Sequence, residues 1–249
     1  MKLVAKIIIT GKIKTLTGLH IGGSKSSMEI GGVDLNVIKT PNGAPYIPGS
    51  SLKGKLRSLS AREKGSIAIA RINLDTDREK QDLSIKTDAD IPLISEIYGI
   101  AGDMSNGTNS KSVLTRLYVR DAFLDTTDFD TQFKDAEMEF DYSDVKIENR
   151  IDRKRGSAKD PRQIERVPSG ARFDFEMVYN VYNDDLQKEA LHIKEIKKAM
   201  RLLQMDYIGG HGSRGYGKIT FEKGMKQVRM TMKDFEEGNV GTITEFIIN

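Results

Sequence analysis

The sequence predicts an α+β fold in which one antiparallel sheet carries its helices on one face. Three observations lead there. Residues 3–14 and 171–182 alternate apolar and polar side chains at strand period. Leu52, Leu56 and Leu59, and later Ala190, Ile193, Ile196, Met200 and Leu203, recur at helical spacing. Glycine and proline clusters mark the connections between these stretches.

In chain order, residues 3–14 form a strand with Ile7, Ile9 and Ile13 on one side, followed by a glycine-bearing loop over residues 18–32. Pro41 and Pro48 bracket an extended stretch, and Gly49-Ser50-Ser51 then offers a serine to cap the helix carrying Leu52, Leu56 and Leu59. Residues 66–111 are mixed, with one short apolar helix candidate at 91–98, and read as an insertion. Residues 112–120 make a strand through Val113, Leu117 and Val119. Residues 121–144 hold nine acids and one lysine, the composition of a solvated loop. Residues 146–166 reverse the sign, with eight basic side chains against four acidic, and contain Gly156, Ala158 and Pro161, which favours an extended arm or hairpin. A strand at 171–182 follows, through Phe173, Phe175, Met177, Tyr179 and Val181, then a helix at 186–205. Five glycines between 209 and 217 lead into a last core strand at 218–221. Stripped of insertions, the order is strand, helix, strand, strand, helix, strand, the ferredoxin-like split-βαβ arrangement. RNA-recognition domains share that scaffold, but a scaffold does not specify function.

The chain has 249 residues, 38% apolar and 30% charged, as suits a globular protein with a well-solvated surface. Its formal net charge is only +3, so an argument for nucleic-acid binding rests on where the charge lies. No cysteine is present, which excludes disulfides and thiolate metal sites and fits a reducing cytoplasm. Three histidines are too few for a histidine-rich zinc site. Charge interrupts the N-terminal apolar run too early for a signal peptide, and no apolar stretch approaches the roughly 20 residues that span a bilayer. A soluble, cytoplasmic protein with no membrane partner is expected.

Two stretches imitate nucleotide-binding loops. Gly49-Ser-Ser-Leu-Lys-Gly-Lys55 resembles a P-loop, but Leu56 stands where a magnesium-binding hydroxyl is required. Gly210-His-Gly212-Ser-Arg-Gly215 has dinucleotide-loop spacing, yet it leaves a helix and enters a strand, the reverse of what pyrophosphate binding needs. It can instead bring backbone amides close to a phosphate, with Arg214 and Lys218 adding charge, or it can be a plain helix-to-strand turn. Lys53, Lys55, Arg57, Arg62 and Lys64 give the first helix a basic character that suits either an RNA backbone or ordinary solvation. The basic arm at 146–166 leaves the same two readings. Asp34, in Ile30-Gly-Gly-Val-Asp-Leu35, reads on residue chemistry as a turn aspartate with no second acid or histidine nearby, and His20 as a structural strand-end residue.

Taken together, several motifs resemble one family. They are Thr17-Gly-Leu-His-Ile-Gly-Gly23, Ile47-Pro-Gly-Ser-Ser-Leu-Lys-Gly-Lys-Leu-Arg57, Arg120-Asp-Ala-Phe123, Glu148-Asn-Arg-Ile-Asp-Arg153, Pro161-Arg-Gln-Ile-Glu-Arg-Val167 and Asp206-Tyr-Ile-Gly-Gly-His-Gly-Ser-Arg-Gly-Tyr-Gly-Lys218. The chain is similar to the backbone RAMP subunits of type III-A CRISPR (Csm) effector complexes. That resemblance implies an RRM-like core over about 1–65, 112–122 and 168–249, a lid-like insertion over about 66–111, and an acidic loop with a β-hairpin thumb over about 123–167. It implies a guide crRNA held by His20, Lys53, Lys55, Arg57, Gly210, Gly212, Arg214 and Lys218, with thumb contacts from Arg153 and Arg166. Copies of the chain would line up head to tail beside other Csm subunits, and complementary target RNA would be cut at regular intervals. Asp34 matches the family's catalytic aspartate and is the expected ligand of Mg2+ or another divalent cation, bound with RNA. The lack of cysteine argues against the zinc that some relatives carry in an insertion. Two alternatives stay open: a non-catalytic guide-binding scaffold, and a guide-processing endonuclease using His20 as acid or base.

Overall fold

The computed structural model describes residues 1–23, 33–65, 91–100, 114–152 and 154–248. Strand β1 (Leu3–Thr15) is followed by β2 (Tyr46–Ile47), helix α1 (Gly49–Glu63), α2 (Pro92–Tyr98), β3 (Leu117–Val119), β4 (Ala122–Leu124) and α3 (Thr126–Gln132). Then come β5 (Asp144–Ile151), β6 (Ala158–Arg166), β7 (Arg172–Tyr182), α4 (Glu189–Met205), β8 (Ile219–Phe221), β9 (Lys226–Thr231), α5 (Met232–Glu237) and β10 (Thr242–Glu245). The main sheet runs β10-β9-β1-β7-β4-β2, with β3 also pairing β7 and β8 also pairing β1. The named pairings within it are antiparallel. With later additions set aside, β1, α1, β3, β7, α4 and β8 keep the expected strand and helix order.

The long β1–β7 pair is the spine of the molecule, running from Leu3↔Tyr182 through a register shift before Ala5 and then in register from Ala5↔Val181 to Lys14↔Arg172. Because side chains alternate across a strand, the opposed pairs Ile7↔Tyr179, Ile9↔Met177 and Ile13↔Phe173 fall on one face. They are buried in one core with Leu52 and Leu56 of α1 and with Ile196, Ala199, Met200 and Leu203 of α4. On the opposite face of β1, Lys6 reaches Asn180 at 2.7 Å, and Lys12 reaches Asp125 at 2.6 Å and Asp174 at 2.9 Å.

The structure corrects several local expectations. No serine caps α1: Pro48 holds the N-cap position, and the Gly49 amide donates instead to Asp121 at 2.8 Å. The strand expected over 112–120 is confined to β3. Residues 112 and 113 lie outside the described residues, and Arg116, just before β3, turns its guanidinium into the interior against Asp185. The acidic stretch 121–144 is not simply a loop, since it contains β4 and α3. Its acids serve as partners: Asp125 caps α3 by accepting from the Asp128 amide at 3.0 Å, and Asp128 pairs with Arg172. Elements of three and seven residues are too short to show a period. Beyond β8, the chain adds β9, α5 and β10, which the sequence did not reveal because β10 is exposed throughout and so lacks alternation. Most of the insertion expected over 66–111 lies outside the described residues. Its helix α2, however, belongs to the core, with Ile94, Ile97 and Tyr98 buried.

The basic arm is a hairpin: β5 and β6 form their own two-stranded sheet, from Asp144↔Arg166 to Ile151↔Ala158. Its tip closes through the Asp152 amide on the Ser157 carbonyl at 2.9 Å, with Gly156 at φ +65° supplying the left-handed turn. Among the described residues, no helix is long and apolar enough to cross a membrane.

Candidate nucleic-acid interface

The segment that carries Asp34 docks on the hairpin as a short third strand. Leu35 bridges Ile164 in parallel, with its amide on the Gln163 carbonyl at 3.2 Å and its carbonyl accepting from the Glu165 amide at 3.0 Å. One residue earlier, the Asp34 carboxylate accepts from the Gln163 amide at 2.9 Å. Asp34 is exposed, so the turn role expected from its glycine neighbours gives way to a side chain anchored on β6 and open to solvent. On its other side the segment pairs with the loop after β1: the Ile38 amide meets the Ile21 carbonyl at 2.9 Å and the Gly23 amide meets the Asn36 carbonyl at 3.1 Å.

His20 lies where these pieces meet. Its ring is buried, with Nδ1 2.7 Å from the Glu165 carbonyl, so Nδ1 carries the proton in that contact. Its own carbonyl accepts from the Gly210 amide at 2.8 Å, and its ring meets the edge of His211 with centroids 5.5 Å apart. The expected RNA-binding role for His20 thus meets a side chain engaged inside the protein. Burial takes the ring away from solvent, and it joins hairpin, post-β1 loop and glycine-rich loop.

The glycine-rich loop, residues 209–217, is built on close backbone approaches. A side chain at Gly212 would strike the Tyr207 ring at 2.1–2.2 Å, and one at Gly209 would strike the His20 carbonyl oxygen at 2.3 Å. His211 itself takes a left-handed backbone, φ 59°. Its pKa is held below the ordinary 6.5 by burial first, then by His20 and Arg214. Arg214 is exposed and reaches His211 Nδ1 at 3.0 Å, while the exposed Lys218 fixes its amide on Thr17 Oγ1 at 3.0 Å. Tyr216, between two glycines, is buried and donates its hydroxyl to Glu148 of β5 at 2.8 Å. Burial and this carboxylate push the Tyr216 pKa up to about 12.

The cations of α1 diverge. Lys53 donates to Thr115 Oγ1 at 2.8 Å, and burial together with Arg57 lowers its pKa. Lys55 faces Asp206 at 3.2 Å and sits 3.8 Å above the Tyr207 ring, so its charge is matched within the protein. With Asp121 on the first amide and Gly49 buried against Val119, the N-terminus of α1 does not offer an open anion site. On β6, Arg166 packs beside Gly18 and pairs with Asp144 at 3.2 Å. Arg153 lies outside the described residues.

Sequence reasoning missed Glu165, His211, Tyr216 and Asp121, whose partners lie far along the chain. The one local hint was an aromatic residue set between Gly215 and Gly217. As for a metal, among the described residues no three histidine, cysteine or acidic side chains cluster as a cation site. Asp34 stands as a single hard oxygen donor open to solvent, which suits a magnesium ion held mostly by water and phosphate.

The profile of the RAMP superfamily matches residues 12–220. A Streptococcus thermophilus protein described as CRISPR system Cms endoribonuclease Csm3 is 38% identical over 220 residues, covering 88% of each chain. A protein of the same description from Methanocaldococcus jannaschii is 37% identical over 243 residues, covering 96% of this chain and 87% of its own. A solved structure, described as the Csm3-Csm4 subcomplex in the type III-A CRISPR-Cas interference complex, aligns with a TM-score of 0.55 at 26% identity. That alignment covers 99% of this chain and 91% of the other. The chain belongs to the RAMP superfamily and, within it, to the Csm3 endoribonucleases of CRISPR systems.

Proposed function

We propose that this protein is a guide-RNA-binding backbone subunit of a type III-A CRISPR effector, and that Asp34 carries its cleavage of complementary target RNA. The observation behind this reading is the attachment of Asp34 and the glycine-rich loop to the same hairpin, one cross-strand step apart. Gln163 holds Asp34, and Glu148, the cross-strand partner of Arg162, holds Tyr216. RNA lying along the loop and the exposed Arg162 and Arg214 therefore runs close to an exposed carboxylate.

The chemistry that fits a lone carboxylate is attack by the RNA's own 2′-hydroxyl on the adjacent phosphate. The hairpin turns a target nucleotide out of the guide–target duplex and aligns that hydroxyl in line with the phosphorus. Alignment of this kind supplies part of the roughly 7–11 kcal/mol available to oriented intramolecular reactions. Asp34 accepts the hydroxyl proton or binds a divalent ion through its solvent-facing oxygen. Such an ion, when bound, neutralises charge on the phosphate oxygens. The P–O bond to the 5′ oxygen breaks and that oxygen takes a proton from water, leaving a 2′,3′-cyclic phosphate and a 5′-hydroxyl. Arg166, Arg214, Lys218, Lys53 and Arg57 hold phosphates, His20 and Lys55 support the loops that carry them, and further copies of the chain extend the guide-binding surface head to tail alongside other Csm subunits.

Asp34→Ala in the assembled complex tests the reading: target binding is retained and magnesium-dependent cutting is lost. Cutting at the parent rate overturns it. The scaffold alternative draws support from the lack, among the described residues, of any cluster of three or more histidine, cysteine or acidic side chains. Intact complementary RNA after incubation of the parent complex with magnesium would favour that alternative.

A further inference from the structure

We propose that Glu165 is a positioning residue for Asp34, holding the catalytic segment on the hairpin through its carboxylate. This rests on the catalytic reading of Asp34 given above.

The ladder between the Asp34 segment and β6 breaks off after one residue. A parallel ladder would continue from Leu35 by giving the Val37 amide to the Glu165 carbonyl and the Val167 amide to the Val37 carbonyl. Neither bond forms. The Glu165 carbonyl is taken by His20 Nδ1 at 2.7 Å, and the Val167 amide turns away to the Leu19 carbonyl at 2.8 Å. The buried Val37 amide donates instead to Oε2 of the Glu165 side chain at 2.9 Å. The other carboxylate oxygen accepts from Ser143 and lies 2.5 Å from Nζ of Lys39, the residue two beyond Val37.

Glu165 is 2% exposed, and it meets the Asp34 segment at three successive odd positions: Leu35 through its amide, Val37 and Lys39 through its carboxylate. Asp34 itself is tethered to the hairpin by the Gln163 amide, at the open end of this short ladder. Without the carboxylate, the hydrogen bonds between the segment and β6 among the described residues are the two backbone bonds of Leu35 and that tether. The buried Val37 amide then lacks its acceptor, and the segment relaxes to find water. An in-line attack that depends on where one carboxylate sits is sensitive to such a shift, since displacement on the order of 1 Å costs about 100-fold in rate.

Assembled effector complexes carrying Glu165→Ala, Glu165→Gln and Asp34→Ala are compared with the parent by three readouts. These are single-turnover cleavage at saturating complementary target, target affinity, and amide exchange by mass spectrometry. Glu165→Ala is expected to slow cleavage by about 10- to 100-fold. Its target affinity stays at the parent value, exchange over residues 33–39 accelerates, and exchange across β1 and β7 stays as in the parent. Glu165→Gln keeps an acceptor for the Val37 amide and recovers much of the rate and protection, an outcome a loss of folding would not produce. Parent-rate cleavage by Glu165→Ala beside an inactive Asp34→Ala overturns the positioning role alone. So does faster exchange throughout β1 and β7, because the effect is then general unfolding. Parent-rate cleavage by Asp34→Ala overturns the catalytic reading, and the positioning role falls with it.

Discussion

The Tyr216 hydroxyl donates to Oε1 of Glu148 at 2.8 Å and so fastens the glycine-rich loop to the hairpin across 68 residues of sequence. Lys146 strengthens the joint from the same strand, 3.0 Å from Glu148 and 4.9 Å from the centre of the Tyr216 ring. Burial opposes ionisation of Glu148, but Tyr216 and Lys146 together hold its carboxyl below the usual range. Loop and hairpin are therefore joined into one continuous surface.

Tyr216→Phe removes this bond and keeps the ring. A buried hydrogen bond to a charged group is worth about 1.5–3 kcal/mol, and retention of Lys146 places the loss near the lower end. A lower urea midpoint for the isolated chain and weaker guide retention by the assembled complex are expected. An unchanged midpoint would show that the joint contributes nothing.

Gly212→Ala and Gly215→Ala separate crowding from backbone strain. An added methyl at 212 runs into the Tyr207 ring, which lies under Lys55. At 215, φ is +87° and the space is open, so only left-handed strain of about 1–2 kcal/mol applies. Overpacking at 212 costs a similar amount, about 1–3 kcal/mol, but displaces Tyr207 and with it Lys55. Guide binding should therefore fall further in Gly212→Ala than in Gly215→Ala. Equal guide affinity in the two variants contradicts this account.

Lys53 and Arg57 test the electrostatic part of guide binding. Two lost phosphate contacts to single-stranded RNA lower the magnitude of the slope of log K against log salt by about 1.4. Burial and Arg57 depress the Lys53 pKa, and a phosphate placed beside it would favour the charged form. The measurement is a salt titration of guide affinity for the Lys53→Ala/Arg57→Ala pair. A slope equal to the parent's removes both residues from the contact.

The pH dependence of folding follows from two histidines. His192 is fully buried between the Tyr179 hydroxyl at 2.6 Å and Glu96 at 3.1 Å. Burial lowers its pKa, with Glu96 pulling the other way, and His211 is lowered as well. When the folded value lies below the unfolded one, the unfolded chain binds more protons between the two. Stability is therefore full above about 6.5 and is lost as pH falls through the folded values. The urea midpoint of the isolated chain should drop between pH 7.5 and 5.5, and His192→Gln should flatten the change. A midpoint that rises on acidification has the opposite sign and excludes the account.

The framework was legible in the residues because strand and helix periods are local. Ile7, Ile9 and Ile13, or Ile196, Met200 and Leu203, declare their buried face within a dozen positions. The hairpin was legible from its change of charge and its turn residues, and the glycine-rich loop from its spacing. Motif resemblance, not spacing, singled out Asp34. Short elements such as β4 and α3 were not legible, and neither was the exposed edge strand β10.

What the sequence by itself determined is the β1–β7 spine, the two core helices, the hairpin and the family. Only the tertiary structure decided that Asp34 is anchored on Gln163, that Glu165 takes the Val37 amide 128 residues away, and that Asp121 rather than a serine caps α1. The reason is physical. A period of 2 or 3.6 residues is written by backbone geometry into every few side chains, whereas a hydrogen bond across more than a hundred residues depends on where each strand leaves its ladder, and no local pattern records that.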